Sequence, residues 1–339
     1  MEYGAIDLHL RHSQIRIVSE TGDVVCERRI ATTVSALRSL FEGRAPMRVL
    51  VESGTESEWV AQTVEDCGHE VIVADPNYLL MYAERQRRIK TDRRDAAALA
   101  EACRLGIYRR AHRVSREQRM RRRELRVREQ LVRVRTQAIN LLRAQLRQEG
   151  YRLGGGRAET AVARCARLEV PAALEVALQP LLDLLQHVTG ALTAADRQAT
   201  QRAAADPVVR RLMTAPGIGP ITALTFRATL DDIARFRDAS HASAYVGVVP
   251  SEDSSAERQR RGRITKRGPG MLRRLLVQSA WVVWRQRVGR GALHAWVDRV
   301  AARRNKCVAV VALARRLTRI LYAMWRDGTD YRRSAIGVA

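Results

Sequence analysis

The amino-acid sequence predicts an α/β amino-terminal domain followed by a mostly helical remainder. In the first hundred residues, short runs rich in β-branched residues are separated by tight polar turns and then by amphipathic stretches. From about residue 115 onward, the apolar residues instead recur at helical spacing within arginine-rich stretches. The chain has 339 residues, which at about 150 residues per domain suits two or three domains.

Three short strands open the predicted amino-terminal domain. The runs Tyr3–Leu10, Gln14–Ser19 and Val24–Ile30 are joined by short polar turns, which is the spacing of an antiparallel meander. A helix, a strand, a helix, a strand and a helix follow, at Val34–Phe41, Met47–Glu52, Ser57–Asp66, Glu70–Ala74 and Asp92 to Gly106. This order of elements is typical of a ribonuclease H-like sheet, in which the first and fourth strands are neighbours.

The middle of the chain is predicted to be helical. One arginine-rich helix spans about Ser115 to Glu149, and its apolar residues form a heptad seam at Val127, Leu131, Val134, Ala138 and Leu141. That seam fits a helix packed on its own domain as well as a coiled coil between chains. Three glycines at 154–156 break the helix. A second seam predicts an antiparallel partner helix, with Leu181, Leu185, Val188 and Leu192.

The last part of the chain is predicted to be a compact, mostly α-helical domain. Between two helical stretches, Gly217 and Gly219 form a Gly-x-Gly turn whose backbone N–H groups can hold a phosphate, a plain tight turn being the alternative. A loop-rich segment, Gly247–Gly270, then precedes two final helices, Met271–Arg285 and Lys306–Trp325. The predicted domains therefore span residues 1–108, 109–203 and 204–339.

The charge of the chain points to a polyanionic partner. Sixty Lys and Arg face 36 Asp and Glu, which gives a formal net charge of +24, and only three of the basic residues are lysines. Arginine binds phosphate through a planar fork of donors, and a nucleic acid would relieve the self-repulsion of this charge. We therefore expect a nucleic-acid-binding protein.

Composition excludes several other classes of protein. Hydrophobic residues make up 46% of the chain, too many for a disordered tail. Its longest apolar run, Cys307–Ala314, is far shorter than the roughly 20 residues that span a bilayer. The first residues lack the pattern of a signal peptide, so we expect a cytoplasmic protein without a membrane partner. Five scattered cysteines argue against a disulfide framework and a structural zinc site.

Four carboxylates are the candidate catalytic residues. Asp7 lies in the first predicted strand and Glu52 ends the fourth, so a ribonuclease H-like sheet would bring them together. Asp92 and Asp95 are three apart at the start of a helix and share a face. Converging carboxylates repel unless cations neutralise them, and oxygen ligands favour Mg²⁺ or Mn²⁺. Singly, Asp92 could be a helix cap and Glu52 a solvated strand end, but together they predict a metal site.

Several motifs make the chain resemble the DEDD transposases of insertion sequence family 110, whose relatives include the Piv-type DNA invertases. The matching residues are Ala5-Ile6-Asp7, Val51 to Thr55, Lys90 to Ala96, Pro216 to Gly219, Ala244 to Ser251, Asp253 to Ser255, and Gly262 to Gly268. This resemblance covers nearly the whole chain. It implies a RuvC-like amino-terminal domain with the tetrad Asp7, Glu52, Asp92 and Asp95, and a helix-hairpin-helix turn in the carboxy-terminal domain.

The resemblance also implies a mechanism. Such an enzyme attacks DNA through a serine and forms a covalent phosphoserine link, and the matching residue is Ser255, although Ser254 stands beside it and Ala256 replaces the family's usual glycine. Basic residues near this serine are expected to hold the DNA backbone: Arg260, Arg261, Arg263, Lys266 and Arg267. An element-encoded guide RNA that pairs with donor and target DNA is implied only by the family.

We therefore predict a transposase or site-specific recombinase that moves its own mobile element. Strand exchange between two DNAs requires a homo-oligomer, either a dimer or a tetramer, and places the protein's action at the bacterial nucleoid. The alternatives are a Piv-like invertase, a RuvC-like Holliday-junction resolvase that uses metal-activated water, and a non-catalytic nucleic-acid-binding protein.

Overall fold

The computed structural model describes residues 1–78, 91–255, 258–286 and 292–332, without the side chains of residues 253–261 and 286. Lys90 of the predicted motif therefore lies outside the described residues. The chain divides into two compact units, Met1–Val114 and Ser115–Ala339.

The first unit is a five-stranded mixed sheet with three helices. Its strands are β1 (Tyr3–Asp7), β2 (His12–Val18), β3 (Val24–Ala31), β4 (Arg48–Glu52) and β5 (Glu70–Ala74), in the spatial order β3-β2-β1-β4-β5. The first three are antiparallel, whereas β4 pairs parallel to β1 and β5 parallel to β4. The predicted meander and the predicted neighbourhood of the first and fourth strands are both confirmed.

The three helices of this unit cover the two faces of its sheet. They are α1 (Val34–Phe41), α2 (Ser57–Glu65) and α3 (Asp92–Leu105). Successive strand residues point to opposite faces. Ile6 therefore packs in the core of α1 and α2, while its neighbour Ala5 packs in the core of α3, beside Leu99 and Cys103. Both faces of the central strands are thus buried in apolar cores. This packing keeps β1 and β4 in register.

The second unit is mostly helical. Its helices are α4 (Arg116–Gln148), α5 (Ala161–Cys165), α6 (Ala172–Ala205), α7 (Pro207–Leu212), α8 (Pro220–Leu230), α9 (Ala239–Val246), α10 (Gly270–Gln286), α11 (Ala292–Arg303) and α12 (Lys306–Asp327). Two strands form a hairpin between α9 and α10, namely β6 (Pro250–Ser255) and β7 (Arg258–Ile264). None of the described helices is long and apolar enough to cross a membrane.

The long helix α4 packs on α6 along a stripe next to the predicted seam. Ile139, Leu142 and Leu146 are buried in a core shared with Leu178 and Leu185 of α6. Of the seam residues, Ala138 is buried in the same core, but Val127 and Leu141 are 62% and 50% exposed. The coiled coil between chains stays a prediction.

The segment between Gly247 and Gly270 was predicted to be loop-rich, and this prediction is wrong. It contains the antiparallel hairpin of β6 and β7. The prediction failed because the strands are made of serine, acidic and arginine residues rather than the alternating apolar residues that mark a half-buried strand.

Two helices were predicted to end the chain, but the structure has a third, α11, between α10 and α12. Its Leu293 and Val297 are buried in the core of the unit, and Trp296, Val300 and Ala301 pack against that core. These residues recur at helical spacing, so the sequence held a signal for this helix that the prediction overlooked.

Candidate metal centre and serine hairpin

Asp7 and Glu52 end two neighbouring strands at the same edge of the sheet. Strands β1 and β4 are parallel, and Ile6 is paired with Val51, so the next residue of each strand is one of these acids. Because the carboxyl ends of parallel strands meet at one edge, the two side chains face the same space. A cavity of about 510 Å³ lies there, and its lining includes Asp7, Glu52 and Asp95.

Helix α3 carries the other two acids, of which Asp95 lines this cavity, while Asp92 lies beside His9. Thr91 caps the helix, its side chain accepting a hydrogen bond from the backbone N–H of Arg94. Asp92 and Asp95 occupy the first turn, where the helix dipole favours negative charge. The buried face of α3 packs on the sheet through Leu99 and Cys103. This packing fixes where the first turn lies.

His9 also belongs to the cluster, and the sequence analysis missed it. Its Nε2 atom lies 3.1 Å from Oδ2 of Asp7 and 3.3 Å from Oδ1 of Asp92. Only its position two residues after Asp7 could have indicated this, because residues i and i+2 of an extended chain share a side. Since β1 ends at Asp7, that signal was weak.

The environment of Asp7 opposes its negative charge. Burial raises the pKa of this carboxyl, the charges of Asp95 and Asp92 raise it further, and His9 acts in the opposite direction. Asp7 is only 6% exposed. An ionised Asp7 is therefore costly unless a cation shares the site.

The donor atoms of this cluster fit a divalent cation. One ligand atom from each of Asp7, His9 and Asp92 lies within 4.8 Å of the others. Carboxylate oxygens are the ligands that Mg²⁺ and Mn²⁺ prefer, and an imidazole nitrogen is also a metal ligand. Buried carboxylate charge and converging donors both indicate a cation site.

The loop after β4 shapes one wall of the cavity. Ser53 donates its backbone N–H to the carbonyl oxygen of Ala74, 2.9 Å away. The buried Ser57 hydroxyl accepts from the Gly54 N–H at 3.1 Å and donates to the Gly54 carbonyl at 3.0 Å. These bonds hold residues 53–56 in one turn, and all four line the cavity.

Ser255 is the last residue of β6, at the far end of the hairpin in the second unit. It is paired with Arg258, and the pairs Ser254–Gln259 and Asp253–Arg260 precede it. The side chains of Ser255, Arg260 and Arg261 lie outside the described set. Those of Arg263, Lys266 and Arg267, on the other arm of the hairpin and just after it, are exposed.

Two glycines clamp the base of this hairpin. Gly247 and Gly268 have φ angles of +75° and +81°. A Cβ on Gly247 would lie 2.0 Å from the carbonyl oxygen of Arg267, and one on Gly268 would lie 2.0 Å from that of Tyr245. The side chain of Arg273 donates to the Arg267 carbonyl at 3.3 Å. The two chain segments therefore cross at a distance that only glycine permits.

The two glycines of the predicted phosphate-binding turn differ in their surroundings. Gly217 has a φ of +72°, and a Cβ there would meet Val283 and the Ser279 carbonyl of α10, at 2.7 and 2.8 Å. Gly219 precedes α8, is exposed, and has nothing within 4 Å of a Cβ position. The first glycine is thus required by packing, while the second leaves the backbone open to a ligand.

Both halves of the chain match family models of transposases. The family model described as transposase of the IS116/IS110/IS902 family matches residues 209–296, and the transposase model for the DEDD group of IS110 matches residues 5–150. A probable family 20 transposase of Pseudomonas aeruginosa is 31% identical over 334 residues, covering 96% of this chain and 97% of the relative. The transposase for insertion sequence element IS1328 of Yersinia enterocolitica is 29% identical, with the same two coverages. The transposase for element IS1111A of Coxiella burnetii is 28% identical, covering 93% of this chain and 87% of the relative.

Proposed function

The chain belongs to the IS110 family of transposases, and from this membership we propose that it cuts and rejoins DNA through a serine–DNA covalent intermediate supported by a divalent metal site. The observation that supports the proposal most is that Asp7, Glu52 and Asp95 line one cavity together. Asp92 lies 3.3 Å from His9, which lines the same cavity. A transposase is an enzyme that cleaves and joins DNA strands, and its substrates here are the donor and target DNA of its mobile element.

In this proposal the acidic residues hold the cation. Asp7, Glu52, Asp92 and Asp95 supply oxygen ligands, and His9 adds a nitrogen ligand. Bound Mg²⁺ or Mn²⁺ would neutralise the phosphodiester charge and the charge that develops on the attacking and leaving oxygens. The turn at residues 53–56 follows Glu52 directly and forms one wall of the cavity. Asp7 is buried, which raises its pKa and makes its negative charge costly, so its carboxylate would be stabilised by a bound cation.

The proposed nucleophile is the hydroxyl of Ser255. Its oxygen would form a bond to phosphorus while the bond to the departing nucleoside oxygen breaks, and the hydroxyl proton passes to that oxygen or to water. The new phosphoserine bond conserves the phosphodiester, so the reverse step rejoins a strand without another energy source. The exposed Arg263, Lys266 and Arg267 are placed near the hairpin to hold the backbone phosphates.

We further propose, from the family alone, that an element-encoded guide RNA pairs with both DNAs and that the active form is a homo-oligomer. Delegating base recognition to RNA suits a chain with many arginines and 5% aromatic residues. Light scattering of the protein bound to nucleic acid tests the second part, and a monomer would contradict it.

The test of the proposed mechanism is an SDS-resistant adduct assay. The protein is incubated with Mg²⁺, labelled DNA that spans the element's ends and target, and RNA transcribed from the element's non-coding flank. We expect a labelled protein band with the unchanged chain and with the neighbouring variant Ser254→Ala, and none with Ser255→Ala. A band that persists in Ser255→Ala and disappears in Ser254→Ala would show that Ser254 is the nucleophile instead.

The same assay separates two of the alternatives, and analysis of the DNA products separates the third. A resolvase that uses metal-activated water would cut DNA without any labelled band, and its cutting would persist in Ser255→Ala. A non-catalytic binding protein would bind the DNA and RNA but leave the DNA uncut in every variant. An invertase would form the same adduct, so it is distinguished by products that are inverted rather than moved.

We expect His9→Ala to change the metal preference of the site. An imidazole ligand favours Mn²⁺ over Mg²⁺, so its removal should weaken Mn²⁺ binding by about 10-fold or more and affect Mg²⁺ less. Titration calorimetry with each metal measures both affinities. His12→Ala, at the exposed start of β2, is the matched control. Equal losses for both metals would contradict a ligand role for His9.

A further inference from the structure

Helices α11 and α12 carry a group of arginines that have no carboxylate within 4.0 Å among the described residues. Together the two helices and the residues after them, 292–332, contain three acids, and each is already engaged. Asp298 accepts a hydrogen bond from the indole of Trp284 at 2.9 Å, Asp327 pairs with Arg326 at 2.7 Å, and Asp330 lies 3.9 Å from Arg211. The acids of this segment are therefore already paired with other groups and do not neutralise the remaining arginines of the two helices.

Four of these arginines form what we call the α11–α12 arginine face, defined as Arg299, Arg303, Arg316 and Arg319. Arg299 and Arg303 are one turn apart on α11, and Arg316 and Arg319 are three residues apart on α12. The two helices pack against each other. Arg299, Arg303 and Arg319 are exposed, and among the described residues none of the four has a carboxylate within 4.0 Å or makes a hydrogen bond.

The face is preorganised at its centre. The guanidinium of Arg316 lies over the ring of Trp296 at 4.7 Å, which orients its plane, and a stacked guanidinium can still donate hydrogen bonds from its edge. Burial lowers the pKa of Arg316, Tyr331 acts in the opposite direction, and the charges of Arg319 and Arg299 lower it further, so Arg316 is close enough to both arginines to be repelled by them. Such repulsion weakens the fold unless an anion relieves it.

We propose that the α11–α12 arginine face binds the phosphate backbone of duplex DNA. The inference rests on the proposed function for the choice of DNA as the polyanion, and it adds a contact surface separate from the residues around Ser255. Arg299, Arg303 and Arg319 are exposed on two packed helices, so several guanidinium groups can contact neighbouring phosphates of one duplex, whose charges are regularly spaced. Phosphate contacts of this kind position DNA and read no sequence.

The test is the salt dependence of DNA binding. The full chain with Asp7→Asn, which prevents cutting, binds a labelled duplex of arbitrary sequence, and fluorescence anisotropy gives the affinity across a series of KCl concentrations. Each lost phosphate contact lowers the slope of log affinity against log salt by about 0.9 for duplex DNA. The triple change Arg299→Gln, Arg303→Gln and Arg319→Gln alters only exposed side chains, so the fold should persist, and melting curves check this.

We expect the triple variant to lower that slope by roughly 2 to 3, while Arg326→Gln, on the same helix but paired with Asp327, leaves it unchanged. Arg316→Lys keeps the charge but loses the planar stacking, and should weaken binding less than the triple change.

An unchanged slope in the triple variant, or an equal fall with Arg326→Gln, would overturn the proposal. A fall seen with a structured RNA but not with the duplex would overturn the choice of DNA. Because the binding assay involves no cutting, its result can be interpreted even if the adduct assay fails.

Discussion

Replacing Asp7 by Asn is expected to abolish DNA cutting and, at the same time, to stabilise the metal-free protein. Cutting should fall by at least about a thousandfold, which is about 4 kcal/mol of transition-state stabilisation, because the buried ligand of the cation is lost. The measurement is the rate of strand cleavage on labelled DNA with Mg²⁺.

The stabilising half of this prediction follows from the raised pKa of Asp7. The folded state holds the proton of Asp7 more tightly than the unfolded state, whose pKa is near the ordinary value, so the contribution of this group to stability falls as pH rises from that ordinary value through the raised one. At neutral pH the charge of Asp7 therefore opposes folding, and asparagine removes this cost. We expect Tm to rise by a few degrees without metal, and to respond to added Mn²⁺ only in the unchanged chain.

The outcome that would contradict this account is specific. If Asp7→Asn lowered Tm at neutral pH, the buried carboxylate would be a structural group rather than a strained ligand. If Tm rose but cutting persisted, the site would not be the catalytic one. The pH dependence provides an internal control, because the difference in Tm between the two proteins should shrink as pH falls towards the ordinary pKa of aspartate.

The second large effect is expected from Gly247→Ala. The new Cβ would lie 2.0 Å from the Arg267 carbonyl oxygen, so the two crossing segments at the base of the β6–β7 hairpin must separate. A left-handed φ on alanine adds about 1 kcal/mol or more, and the displaced backbone raises the total to about 3 kcal/mol. We expect a loss of that size in the free energy of unfolding, together with loss of the serine adduct.

Gly328→Ala is the matched control for this change. Gly328 also has a positive φ, +65°, but nothing lies within 4 Å of its Cβ position. In this variant the free energy of unfolding should fall only by the cost of a left-handed φ on alanine, about 1 kcal/mol. The variant should still form the adduct. Urea unfolding measures both free energies. Equal losses in the two variants would show that the close crossing of Gly247 and Arg267 contributes nothing.

Much of the amino-terminal unit could be predicted because local and tertiary signals agree there. Its strands follow short turns, and their buried faces alternate, as Ala5 and Ile6 do, so the element order alone placed Asp7 next to Glu52. The start of α3 at Asp92 was predicted, but the alternative that Asp92 itself caps the helix is wrong, because Thr91 is the cap. Such consistency between levels is what makes a sequence specify one structure.

Other features could not be predicted because tertiary contacts create them. His9 contacts Asp92 only once α3 docks on the sheet, and no spacing in the sequence links the two residues. The hairpin that carries Ser255 has no apolar alternation, and the close crossing at Gly247 and Gly268 at its base is a tertiary contact that the sequence does not reveal. The sequence shows these glycines within the motifs, but it does not show the close backbone contacts that require them.

The measurement that tests the central claim most directly is Mn²⁺ binding followed by electron paramagnetic resonance, in which the signal of free Mn²⁺ falls as the ion binds. The unchanged chain should deplete free Mn²⁺, and Asp7→Asn should leave the signal of the free ion. Asp66→Asn, an exposed carboxylate at the end of α2, should behave like the unchanged chain. Equal depletion by all three proteins would show that the carboxylates at the carboxyl ends of β1 and β4 are not the metal site, and the proposed mechanism would fail with them.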